Sequence, residues 1–80
     1  MVMFSYSAPA ELFVAMSFRR TGAVRYVRFE TAADAIRHAI EALPPVALRS
    51  TVMEVDEERY HAAAIRELYD SRAYPLTRVV

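Results

Sequence analysis

The 80-residue chain contains no cysteine, lysine, asparagine, glutamine or tryptophan, and a single glycine, Gly22. Each absence closes a chemistry. Without cysteine there is no thiolate nucleophile, no disulfide and no thiolate zinc site; without lysine there is no amine for a Schiff base. One glycine cannot supply the closely spaced set that a phosphate-cradling loop or a dinucleotide fingerprint needs, and the Walker lysine is missing too. Without a carboxamide, adenine edges cannot be read bidentately and N-glycosylation has no acceptor. Lysine and asparagine both become rarer as genomic GC content rises, which is a sufficient codon-level cause. The exclusions hold whatever the cause.

What remains is the composition of a folded protein: 55% hydrophobic residues, 25% charged, formal net charge zero. Eighty residues are expected to make one small domain that buries roughly 60–65% of the surface its unfolded chain exposes. Zero net charge gives little colloidal repulsion, so an apolar patch left uncovered tends to find a partner. Met1 to Phe18 carries no basic residue, holds Glu11 and is broken by Pro9, unlike a secretory leader. The longest apolar run, Leu12 to Met16, is far below the roughly 20 residues of a membrane helix. The expectation is a soluble cytoplasmic protein with no membrane contact, a compartment with which a cysteine-free chain is compatible.

Residues 1–10 lack clean periodicity and read as an irregular arm. From Leu12 to Phe18, alternate residues are large and apolar, the period of a strand. Arg20-Thr21-Gly22 breaks the pattern and Val24 to Phe29 resumes it, so the pair reads as a hairpin turning on the one glycine. A two-residue loop at Thr21-Gly22 pairs Phe18 with Arg25, Met16 with Val27 and Val14 with Phe29. It puts Leu12, Val14, Met16, Phe18, Val27 and Phe29 on the core face.

Thr31 is a good helix N-cap, with Asp34 in the place of the capping-box acid. A helix to about Leu43 follows, with Ala32, Ile36, Ala39, Ile40 and Leu43 on one stripe and Pro44-Pro45 as the stop. Val46 to Val55 reads as a third strand beginning after the prolines. After it, either Asp56 caps a helix at Glu57, or Asp56 to Glu58 turn into a short strand Arg59–His61 with a helix from Ala62; the second is preferred. Both put Ile65, Leu68 and Tyr69 on a buried stripe ending near Ser71. Residues 72–80 form a tail held by Tyr74 and Leu76. The expected fold is α+β: a small antiparallel or mixed sheet of three to four strands with two helices packed on one face, in the order ββαβ(β)α. The runs Thr31 to Pro44 and Ile65 to Leu76 resemble stretches of small bacterial proteins, a likeness that implies no activity.

Arg19, Arg20, Arg25 and Arg28 give the hairpin a charge of +4, with no acid between Leu12 and Phe29, while Glu54, Asp56, Glu57 and Glu58 form an acidic knot. In the expected register Arg19 and Arg28 share the outer sheet face with Phe13 and Tyr26, and Arg25 lies at the open end of the core face. Interleaved arginine and aromatic residues are the types enriched at protein interfaces. They could also stack single-stranded bases, but zero net charge lacks the positive field that phosphate binding needs. The acidic knot lacks the glycine and ligand spacing of a calcium loop. His38 reads as a surface residue. His61, near Asp56 and Glu58, could be oriented by an acid for proton transfer, but two histidines make no three-histidine zinc site and no serine sits in a nucleophile elbow. No catalytic residue, metal or cofactor is therefore expected. The expected function is a non-enzymatic protein-interaction module that binds a protein partner or itself, as a homodimer, through Phe13, Arg19, Arg20, Tyr26 and Arg28. The alternative is a weak single-stranded nucleic-acid binder.

Overall fold

The computed structural model describes residues 4–15 and 24–78. Four strands, β1 (Ala10–Ala15), β2 (Val24–Phe29), β3 (Thr51–Val55) and β4 (Glu58–His61), form one antiparallel sheet in the order β2-β1-β3-β4. Helices α1 (Ala32–Arg37), α2 (Pro45–Arg49) and α3 (Ala62–Asp70) complete the α+β fold. Two-residue alternation does the sorting. Ala10, Leu12 and Val14 of β1 and Thr51, Met53 and Val55 of β3 are buried toward the helices, where they meet Ile36 and Ala39 and Ile65 and Tyr69 of α3. Among the described residues no helix is long and apolar enough to cross a membrane.

The hairpin forms, in a register four residues from the expected one: Val14 lies opposite Arg25 instead of Phe29, and Phe29 opposite Ala10. An even shift keeps every side chain on its face. The expected register set Phe13 against Glu30, Tyr26 against Ser17 and Arg28 against Ala15. The observed one sets Phe13 against Tyr26 and Glu11 against Arg28, an aromatic pair and an opposite-charge pair, the combinations that stabilise neighbouring strands. Met16, Phe18 and the Thr21-Gly22 turn lie outside the described residues.

Thr31 caps α1. Its hydroxyl oxygen accepts from the Asp34 N–H at 3.1 Å and donates to Asp34 Oδ2 at 2.9 Å. The next two helix N–H groups, of Ala32 and Ala33, donate to the carbonyls of Ala8 and Tyr6, so the N-terminal arm lies across the helix end and covers it. From His38 to Ala42 the helix widens into a π-turn, closed by the Leu43 N–H on the His38 carbonyl at 3.2 Å. The third strand does not begin after the prolines. Pro45 opens α2 instead, because the first helical turn needs no N–H from it and its fixed φ suits a helix. β3 starts only at Thr51, whose buried hydroxyl donates to the Ala47 carbonyl at 2.8 Å.

After β3 the chain takes the preferred route. Asp56 and Glu57, at φ 52° and 70°, make a two-residue turn into β4, and α3 begins at Ala62. Phe4, Tyr6, Tyr60, Tyr69 and Tyr74 then form a chain of ring contacts with centroids 4.9–6.1 Å apart, tying the arm and the tail to β4 and α3. Tyr6 Oη donates to the Leu68 carbonyl at 2.8 Å, and the Arg78 guanidinium donates to the carbonyls of Tyr69 and Ser71, where α3 ends.

Candidate functional site

All three helices leave the far side of the sheet uncovered among the described residues, and the strand pairings arrange that side in two rows. Arg28, Glu11, Glu54 and Arg59 follow one another across β2, β1, β3 and β4; Tyr26, Phe13, Val52 and His61 follow one another beside them. The charged row reads plus, minus, minus, plus. The second row is aromatic and aliphatic, with a histidine at its end.

Geometry knits the β2 end of the two rows together. Tyr26 Oη donates to Glu11 Oε2 at 2.6 Å, Arg28 Nη1 approaches the same oxygen at 3.4 Å, and the Phe13 and Tyr26 rings stand 5.3 Å apart. The bond to the Glu11 carboxylate raises the Tyr26 hydroxyl above its ordinary pKa, because an ionised phenol would lose the proton it donates and face a like charge. Tyr26 is nevertheless 53% exposed, the largest exposed aromatic among the described residues. Phe13 and Val52 are half-buried between their neighbours.

Of the expected contact residues, the structure brings together Phe13, Tyr26 and Arg28; Arg19 and Arg20 lie outside the described residues. Arg25 is exposed on the helix side of β2, opposite Val14. The described part of the hairpin therefore presents no arginine cluster: Arg25 and Arg28 point to opposite sides, and Arg28 is matched by Glu11. Glu11, Val52, Glu54 and Arg59 belong to this surface and were not read from the sequence. Their alternation was visible, but which strands flank β1 is a long-range fact.

The acidic knot is drawn out along the β3–β4 hairpin, with Glu54 on the outer face, Asp56 and Glu57 in the turn, and Glu58 opposite Val55 on the helix side. Among the described residues no group of three or more acids or histidines could hold a metal ion. A shallow cavity of 230 Å³ lies at this end, lined by Glu11, Arg28, Glu54, Asp56 and Glu57. His61 is exposed on the outer face opposite Val52, whereas Glu58 faces the other side of the same strand, so the strand does not aim that acid at the ring. His38 is half-buried, with its ring 5.4 Å from Phe29, and borders a 480 Å³ cleft with Asp34, Arg37 and Glu41. Phe29 at the end of β2 therefore covers part of a histidine expected at the surface. Comparison with protein-family models, curated proteins and solved structures gives no match.

Proposed function

We propose that this protein is a non-enzymatic interaction module, cytoplasmic, whose partner is a second copy of itself and whose contact surface is the β2 side of the sheet around Tyr26 and Arg28. The observation that carries this reading is Tyr26: a tyrosine more than half exposed, standing on an edge strand, held in place by Glu11 beside Arg28 and Phe13. A pre-positioned ring and guanidinium lose little conformational freedom on docking, the reason such residues dominate interfaces. Zero net charge places no long-range repulsion between copies.

The nucleic-acid alternative draws less support, because among the described residues the outer face balances Arg28 and Arg59 with Glu11 and Glu54, and a matched guanidinium releases few counterions on meeting a phosphate. Light scattering on a sizing column tests the proposal. A mass of twice the monomer at high concentration, falling to the monomer for Tyr26→Asp, is expected. A monomer at every concentration contradicts it.

A further inference from the structure

We infer that the second copy adds strand to strand at β2, across a two-fold axis at Val27, making one continuous eight-stranded sheet. The inference rests on the self-association proposed above and specifies its geometry. β2 is an edge of the sheet, paired on one side by β1 alone, so alternate backbone N–H and C=O groups along six residues have no strand beside them among the described residues. Antiparallel pairing of two identical edges puts the two-fold axis perpendicular to the sheet. Each face then continues into the same face of the other copy, and only registers pairing residues of like parity are allowed.

Those registers can be judged one by one. Centring on Val24 or on Phe29 overlaps the two strands at that residue alone, and centring on Arg25 or on Arg28 sets that arginine against its own copy. Centring on Tyr26 puts Arg25 opposite Val27 and Arg28 opposite Val24, which gives neither guanidinium a partner. Centring on Val27 puts Arg28 opposite Tyr26 on the outer face and Arg25 opposite Phe29 on the helix side, twice over by symmetry. Each guanidinium then meets an aromatic ring, the pairing that favours both. Tyr26 and Arg28 already flank Glu11 within one copy, so the cross-copy pair extends an existing polar row.

The other edge does not offer this. β4 has only four residues, Glu58, Arg59, Tyr60 and His61. Its self-pairings set Glu58 against Glu58, Arg59 against Arg59, Arg59 against His61, or His61 against His61.

Because the chain has no cysteine of its own, single cysteine variants report geometry cleanly. Under mild oxidation, Val27→Cys is expected to give a disulfide-linked dimer, and an equimolar mixture of Tyr26→Cys and Arg28→Cys chains to cross-link to each other more than either does to itself. Arg59→Cys is expected to stay uncross-linked. His61→Asp, on the outer face but at the far edge of the sheet, is expected to leave the dimer intact. The mixed pair sits at exposed positions and keeps the test decisive if Val27→Cys folds poorly. A dimer that His61→Asp dissolves, with no bond between 26 and 28, would overturn the edge geometry while leaving self-association standing. Masses above the dimer would also overturn it, by placing β4 against β2 in an open series. A monomer would remove both.

Discussion

Glu57 holds φ at 70° in the turn between β3 and β4, directly after Asp56 at 52°. Asp tolerates the left-handed region through local hydrogen bonding, but a glutamate there crowds its Cβ against the backbone. Glu57→Gly gives the Asp-Gly pair this turn prefers. It is expected to stabilise the fold by about 0.5–1 kcal/mol after the added freedom of the unfolded chain is subtracted. Thermal unfolding checks this, and an unchanged or lower midpoint would show that the turn carries no such strain. Tyr74 is the second residue out of balance. It is buried, yet among the described residues its hydroxyl has no hydrogen-bond partner, a situation that costs about 1–3 kcal/mol. Tyr74→Phe is expected to raise stability, as measured by urea unfolding; a clear loss would reveal a partner for the hydroxyl.

Burial pushes the Tyr74 and Tyr60 hydroxyls above the ordinary value of 10.0, with the charges of Glu41 and of Glu58 adding to it respectively. The fold therefore keeps protons that the unfolded chain gives up. The associated stability is complete below pH 10 and is lost as the pH rises through the folded-state values. The urea midpoint should hold steady up to about pH 9 and fall above pH 10, less steeply for Tyr74→Phe. An equal slope in both would contradict the assignment.

At the scale of elements, α1 depends on its cap. Thr31 serves the Asp34 N–H while the arm's carbonyls serve Ala32 and Ala33, so Thr31→Ala is expected to cost about 1 kcal/mol by urea unfolding. No measurable cost would mean that the arm alone holds the helix end. This cap was legible in the sequence because capping is local: a threonine, two residues, then an acid. The alternation of β1 and β2 and the Ile65–Leu68–Tyr69 stripe were legible for the same reason. Three features were not. The hairpin register follows from Glu11 meeting Arg28 and Phe13 meeting Tyr26, pairings that a loop-based guess at Thr21-Gly22 does not weigh. The double proline stops one helix and opens another, and only the position of Thr51 in the sheet separates that from a strand. The π-turn at His38–Ala42, beside which Ile40 and Leu43 pack on the core, leaves the apolar spacing of an ordinary helix in the sequence. Of the candidate surface, Phe13, Tyr26 and Arg28 were readable from alternation alone, whereas Val52, Glu54 and Arg59 needed the strand order.

For the molecule as a whole, the sheet has two free edges of different character and one face without helices among the described residues. β4 is short, and when doubled it offers its arginine no Phe or Tyr ring, a guarded edge. β2 is longer, and centred on Val27 it offers a second copy of itself rings for its arginines. Amide hydrogen exchange followed over a range of protein concentrations tests this difference most directly. Protection across residues 24–29 is expected to rise as concentration rises, while residues 58–61 exchange at a fixed rate. Protection in β2 that does not change with concentration, in a chain that stays monomeric, would contradict it.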